Sequence, residues 1–81
     1  MSRARDVVEV VARTLADKPD SVRVTEREAK GQTYVELSMA PGDLGRVIGR
    51  QGRTAAAVRT LVALAAELDG TKATVDFRDD R

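Results

Sequence analysis

Two glycines set three residues apart interrupt an otherwise helical stretch, and they restrict the fold more than any other feature of this sequence. Gly49 and Gly52 enclose Arg50 and Gln51, and apolar residues at helical spacing lie on both sides. Glycine adopts backbone conformations that other residues avoid, and its missing side chain allows another surface to approach closely. The pair therefore predicts a tight corner between two helices.

The N-terminal half of the chain combines one helical pattern with two strand patterns. Apolar residues at three- and four-residue spacing predict an amphipathic helix over residues 3–17, with Ser2 as its N-cap. Alternating apolar residues predict strands over residues 21–28 and 33–39. The turn between them contains Gly31, so the two strands form an antiparallel hairpin.

The C-terminal half continues through the glycine corner. We expect Asp43 to cap a short helix over residues 44–48, and a longer helix to run over residues 53–68. A strand over residues 71–77 follows, and residues 78–81 form a frayed polar tail. Gly45 lets the short helix pack closely, and Gly70 ends the long helix. The buried stripe of the long helix is predicted to be Val58, Leu61, Val62, Ala65 and Leu68.

The order of these elements predicts an α+β fold of one domain. A chain of 81 residues beginning with Met1 is expected to be a complete single-domain protein. Three strands cannot bury a face alone, so the helices must cover one side of the sheet. The strand–helix–helix–strand segment is long enough to make its two strands parallel, which gives a three-stranded mixed sheet.

Composition excludes several kinds of site. The chain has no Cys and no His, which rules out disulfides, thiolate or Cys₂His₂ metal sites and a histidine general base. The paired acids Asp79 and Asp80 lie in the predicted tail, so we expect no enzyme, no cofactor, no metal and no small-molecule substrate. No run approaches ~18 apolar residues, which favours a cytoplasmic protein without membrane association.

Positive charge is concentrated around the corner. The net charge is +1, yet residues 44–66 contain Arg46, Arg50, Arg53 and Arg59 without a single acid, which leaves −3 for the rest. The first amides of a helix, together with its dipole, favour an anion. A solvated helix face would carry the same charges, and it remains the alternative interpretation of this arginine cluster. The glycine spacing fits neither a Walker A loop nor a dinucleotide-binding fingerprint.

The stretch Val47–Gly52 resembles the KH-domain signature Val-Ile-Gly-x-x-Gly, set between a short and a long helix. Because the extra helix and strand precede this core, the arrangement resembles a type II KH domain. Segments Leu15–Val22 and Asp43–Leu61 are similar to the small bacterial single-KH proteins of the KhpA family, and the resemblance spans residues 5–77. Ala55 departs from general KH proteins, many of which have a large aliphatic residue there.

The resemblance implies an α-β-β-α-α-β fold and an RNA-binding protein in which a GXXG loop holds single-stranded RNA. Tyr34 and Phe77 are the only aromatics, which argues against base-stacking platforms. Ile48 is expected mainly in the core, and Arg59 extends the phosphate track. The RNA-binding residues carried over are Arg46, Val47, Gly49, Arg50, Gln51, Gly52 and Arg53.

The family also implies a partner. KhpA-like proteins are described as forming homodimers or pairing with a larger KH protein, KhpB, in post-transcriptional regulation. The long alanine-rich helix and the loop region are the two candidate dimer faces. A protein–protein adaptor with a KH shape and no RNA binding of its own is the alternative function.

Overall fold

The computed structural model describes residues 2–79, and its elements follow the predicted order. The helices and strands are α1 (Arg3–Leu15), β1 (Arg23–Ala29), β2 (Gln32–Met39), α2 (Leu44–Ile48), α3 (Arg53–Leu68) and β3 (Lys72–Asp79). Helix α1 ends two residues before the predicted boundary. Strand β3 includes Arg78 and Asp79, so these two residues do not form a frayed tail. Positions 80 and 81 of that predicted tail lie outside the described residues.

The three strands form one mixed sheet, as predicted, and their order in the sheet is β1-β2-β3. Strand β1 pairs with β2 in the antiparallel sense, and β2 pairs with β3 in the parallel sense with Val35 opposite Val75. Lys30 and Gly31 connect the hairpin with φ angles of 51° and 76°. Two residues with positive φ are the signature of a type I′ turn, which matches the twist of a hairpin.

Helix α1 starts at the cap predicted from the sequence. The Ser2 hydroxyl accepts a hydrogen bond from the Arg5 backbone amide at 3.0 Å. The helix buries the small residues Ala4 and Ala12 together with Val8. This narrow face allows α1 to lie close to α3 and the sheet.

Helix α3 buries a face rich in alanine, and this corrects part of the predicted stripe. Val58, Val62 and Ala65 are buried as predicted, and Ala55 and Ala66 join them. Leu61 and Leu68 are 48% and 74% exposed, so their prediction as core residues was wrong. Close packing of α3 against α1 favours short side chains at the contact, which leaves the leucines outside.

Strand β2 lies in the middle of the sheet and supplies the centre of the core. Val35, Leu37 and Met39 are almost fully buried against the helices, as their alternation predicts. Gly70 has a φ of 72°, and the amide of Thr71 donates to the Ala66 carbonyl at 2.9 Å. That pattern is a Schellman-type end, so the predicted stop of α3 is confirmed. Within residues 2–79, every helix is too short or too polar to traverse a lipid bilayer.

Candidate functional site

The chain turns between α2 and α3 through three residues with positive φ. Gly49 has φ 75° and ψ 174°, Gln51 has φ 58°, and Gly52 has φ 72°. Residues 49–52 connect the two helices in a tight turn, which is closed by the Gly52 amide donating to the Gly49 carbonyl at 3.2 Å. The two glycines therefore shape a tight corner, as their spacing predicts.

The N-terminus of α3 opens directly from this corner. Within residues 2–79, no side chain caps the helix and no acidic residue lies in its first turn. The first amides of a helix lack partners inside the helix, and the helix dipole makes this end partially positive. An anion is therefore favoured at this position.

Two arginines and a glutamine project from the corner. Arg50, Gln51 and Arg53 are exposed. The Arg53 Nη2 atom donates to Gln51 Oε1 at 3.2 Å. Across the part of the chain that the structure describes, the side chain of Arg50 makes no hydrogen bond and no ion pair. Its guanidinium is thus available to an external anion.

Arg46 lies one helical turn earlier and is held by acidic side chains. Its Nη2 atom is 2.6 Å from Asp17 Oδ2, and its Nε atom is 3.6 Å from Asp43 Oδ1. Asp17 belongs to the turn after α1, so this contact joins that turn to α2. Arg46 is therefore near the corner but already paired.

Asp43 occupies the predicted N-cap position of α2, but its side chain does not cap the helix. Its backbone is helical (φ −76°, ψ −31°) and its side chain makes no capping hydrogen bond. The carboxylate is buried and accepts hydrogen bonds from the backbone amides of Asp17 (3.2 Å) and Lys18 (2.9 Å). The hydrogen bond from Lys18 lowers the pKa of Asp43 most, against the opposing effect of burial.

The sequence did not predict that Asp17 and Asp43 connect the turn after α1 to α2. The two residues lie far apart in the chain, and the buried Asp43 carboxylate accepts hydrogen bonds from amides of that distant turn. An acid immediately before a short helix looks like a cap in the sequence, and no local pattern distinguishes the two arrangements. The structure assigns to Asp43 the role of tying the α1–β1 turn to the start of α2.

The remaining predicted residues occupy different environments. Val47 is 1% exposed and belongs to the core, so its side chain does not reach the surface, whereas Ile48 is partly buried. Among residues 2–79, no atom outside the backbone of its own helix and its two chain neighbours lies within 4 Å of where a side chain at Gly45 would begin, so the close packing expected there is absent. The guanidinium carbon of Arg59 is 5.0 Å from the ring centroid of Phe77.

A shallow groove lies between α3 and β3, beside Arg59. Its volume is about 150 Å³, and its lining is mainly apolar: Arg59, Val62, Ala73, Thr74 and Val75. The groove follows the same helix that begins at the corner. Among residues 2–79, no three acidic side chains are grouped closely enough to hold a metal ion.

A protein-family model described as the KH domain of KhpA/KhpB matches residues 5–77. Curated relatives carry the name RNA-binding protein KhpA. The relative from Clostridium perfringens is 42% identical over 73 residues, which cover 90% of this chain and 97% of that protein. The relative from Aquifex aeolicus is 48% identical over 62 residues, which cover 76% of this chain and 78% of that protein.

Two solved structures of Era are similar in fold. Era from Aquifex aeolicus bound to GDP and AlF4− gives a TM-score of 0.67 at 19% identity, covering 95% of this chain. Era in complex with MgGDPNP and nucleotides 1506–1542 of 16S ribosomal RNA gives 0.62 at 18% identity. This chain spans 30% and 29% of those two Era chains, and at such identity the likeness shows the fold alone.

Proposed function

The chain belongs to the KhpA/KhpB family of KH domains, and on this premise we propose that it is an RNA-binding protein that holds the backbone of single-stranded RNA at the corner Gly49–Gly52. The observation that carries the proposal is the side chain of Arg50, which is unpaired among residues 2–79 and lies beside the N-terminus of α3, which no side chain in that range caps. Relatives named RNA-binding protein KhpA, similar over most of the chain, support the choice of RNA as the anion.

Each part of the corner has a function in this proposal. Gly49 and Gly52 carry no side chain, so a sugar–phosphate backbone approaches the main chain closely. Arg50 and Arg53 neutralise phosphates, and the first amides of α3 donate to phosphate oxygens. The bases lie along the groove between α3 and β3, where Arg59 extends the positive track. Val47 is excluded from the contact set because it is buried.

The affinity of one domain is expected to be low. With three or four phosphate contacts, the affinity falls steeply as the salt concentration rises. The logarithm of the binding constant changes with the logarithm of the salt concentration with a slope of about −0.7 per phosphate contact for a single strand. Two linked domains bind far more tightly than one, since the second contact becomes intramolecular. We therefore propose that the protein acts as a homodimer or with a KhpB-like partner.

The exposed leucines of α3 support such a partner. Leu61, Leu64 and Leu68 are 48%, 54% and 74% exposed, although they are large and apolar. Together with Thr54 and Ala57 they recur at alternating spacings of three and four residues, which is the period of a coiled-coil seam. We name these five residues the α3 seam. In an antiparallel pair, the large residues of one copy meet the small residues of the other.

We propose that the protein acts in the cytoplasm, in post-transcriptional regulation and without catalysis. The relatives' names describe binding rather than a reaction. The α3 seam also favours a second candidate function, a protein–protein adaptor that binds no RNA. The two candidates differ in whether RNA binds at the corner.

The test measures fluorescence anisotropy of labelled single-stranded RNA at two salt concentrations. The wild-type protein is compared with the double variant Arg50→Asp, Gln51→Asp, which places two acids in the corner. Aspartate tolerates the left-handed backbone at position 51. The control is Lys30→Asp, which reverses an exposed cation at the other end of α3, about 24 Å away, and changes the net charge by about −2 against about −3 for the double variant. Circular dichroism establishes that all variants are folded.

The proposal predicts salt-sensitive binding by the wild type and by Lys30→Asp, and loss of binding in the double variant. Equal binding by all three proteins would place the RNA site elsewhere. Absence of binding by the wild type at high protein concentration would favour the adaptor.

A further inference from the structure

Arg46 differs from the other arginines near the corner in its surroundings. Of the four arginines in residues 44–66, Arg46 is the one that acidic side chains hold within the part of the chain that the structure describes. Arg50 has no partner there, Arg53 donates to Gln51, and Arg59 lies over Phe77. An arginine that already has a carboxylate partner must leave it before it contacts a phosphate.

The two acids beside Arg46 are not equivalent. Asp43 is buried, and its carboxylate is fixed by the amides of Asp17 and Lys18. The Asp17 side chain is 67% exposed, and within residues 2–79 Arg46 is its one partner. Asp17 is therefore free to release the Nη2 end of Arg46, whereas the fixed carboxylate of Asp43 stays beside the Nε atom.

We propose that Asp17 is an intramolecular competitor of RNA phosphate for the guanidinium of Arg46. This inference rests on the proposed RNA binding at the corner. In the free protein, the Asp17 carboxylate occupies the position that a phosphate oxygen takes in the complex. Both groups offer oxygen atoms to the same planar donor, so the exchange conserves the hydrogen-bond type. Asp17 thus lowers the affinity for RNA and favours its release.

Removal of the competitor is expected to strengthen binding. Asp17→Asn keeps the size of the side chain and removes its charge, and the backbone amide that Asp43 accepts from is unchanged. Exposed ion pairs are weak, so we expect the dissociation constant to fall by about two- to five-fold. Loss of any acid also raises the net charge, and that general effect needs its own control.

Asp20→Asn supplies this control. Asp20 is exposed, lies three residues after Asp17, and has no ion pair or hydrogen bond to its side chain within residues 2–79. Its substitution changes the net charge by the same amount and leaves the contact between Asp17 and Arg46 intact. A second comparison repeats Asp17→Asn in an Arg46→Gln background, where no guanidinium remains to be released.

The experiment measures RNA anisotropy for these variants at one low salt concentration, with circular dichroism as the check on folding. The inference is supported if Asp17→Asn binds two- to five-fold more tightly than Asp20→Asn and this gain disappears in Arg46→Gln. Equal binding by Asp17→Asn and Asp20→Asn overturns the inference while the proposed function stands. A gain that persists in Arg46→Gln also overturns it, since Asp17 would then act through another group. Absence of RNA binding by every variant and by the wild type overturns both.

Discussion

The side chain of Thr54 lies directly against the backbone of Gly49, so that a Cβ atom at position 49 would come within 2.8 Å of the Thr54 Cβ atom. Thr54 is in the first turn of α3, and Gly49 directly follows α2. The contact therefore joins the end of one helix to the start of the next. It sets how closely the two helices approach at the corner.

Gly49→Ala is expected to destabilise the protein strongly. A φ of 75° with ψ of 174° is a conformation that essentially glycine alone adopts, and the new methyl group would also displace Thr54. Backbone strain and overpacking together predict a loss of roughly 2–4 kcal/mol in the free energy of unfolding. Urea denaturation followed by circular dichroism measures it.

Two other glycines serve as matched controls for this prediction. At Gly52 the described residues leave open space for a methyl group, so Gly52→Ala meets only the strain of the left-handed backbone and is expected to cost about 1–2 kcal/mol. Gly45 lies within helix α2, and no described residue outside that helix is near the position of the new methyl group, so Gly45→Ala is expected to be neutral or to stabilise by up to about 1 kcal/mol. A similar loss at all three positions would contradict the specific contact between Gly49 and Thr54.

Asp43→Asn is expected to weaken the fold in a pH-dependent way. The folded protein lowers the pKa of Asp43 through the amide of Lys18. The carboxylate therefore contributes stability above its unfolded pKa, near 3.9, and that stability is lost as the pH falls through the lower folded pKa. The difference in unfolding free energy between wild type and variant should be constant from about pH 5 to 7 and shrink below about pH 4.

Urea denaturation at several pH values checks this prediction, with Asp20→Asn as the control. The Asp20 side chain is exposed and accepts no hydrogen bond within residues 2–79, so its variant should unfold like the wild type at neutral pH. A wild-type advantage over Asp43→Asn that grows on acidification would show that the charged carboxylate is not the stabilising form.

Leu64→Glu is expected to abolish self-association without unfolding the protein. Leu64 lies in the α3 seam and is 54% exposed, so the substitution changes the free energy of unfolding by less than about 0.5 kcal/mol. A buried glutamate at a dimer contact is costly, which favours the monomer. Sedimentation equilibrium measures the molecular mass of both proteins.

The control for this variant is Ala63→Glu, which adds the same charge at an exposed neighbouring position outside the seam. It should keep the wild-type mass. A seam that mediates self-association is ruled out if the wild type is a monomer at high concentration, or if Leu64→Glu keeps the mass of a wild-type dimer.

Lys30→Asn is expected to stabilise the hairpin between β1 and β2. Lys30 has a φ of 51° at the first position of the turn, followed by Gly31. Asparagine tolerates this conformation better than lysine, and Asn-Gly is a preferred type I′ pair. We expect the free energy of unfolding to rise by about 0.5–1 kcal/mol, as measured by thermal or urea denaturation. Lys30→Ala removes the charge and keeps the strain, so a gain of equal size there would refute the turn explanation.

The fold followed closely from patterns that are local in the sequence. Apolar residues alternate strictly in β2, because one face of this central strand is buried. The two glycines at positions 49 and 52 mark a corner whose backbone requires positive φ. The N-cap at Ser2 and the stop at Gly70 are satisfied by neighbouring residues. Structural features that depend only on residues close in the chain can therefore be predicted from the sequence.

The errors arose where distant segments decide the outcome. Hydrophobicity favours Leu61 and Leu68 over alanines for the core, but the distance between α1 and α3 selects the small residues. Asp43 looks like a cap, yet a turn about 25 residues earlier in the chain supplies its partners. Neither the spacing of the two helices nor that long-range contact is visible in a sequence pattern.

At the corner between α2 and α3, the residues that determine the backbone path differ from those that supply exposed functional groups. Gly49 fixes the backbone path through its contact with Thr54, whereas the exposed Arg50 side chain makes no hydrogen bond or ion pair with the described residues. Position 50 is therefore open to almost any side chain, and position 51 to those that tolerate a left-handed backbone. Such a loop is evolvable, since the side chains that it presents can drift or be selected from a library while the scaffold stays constant.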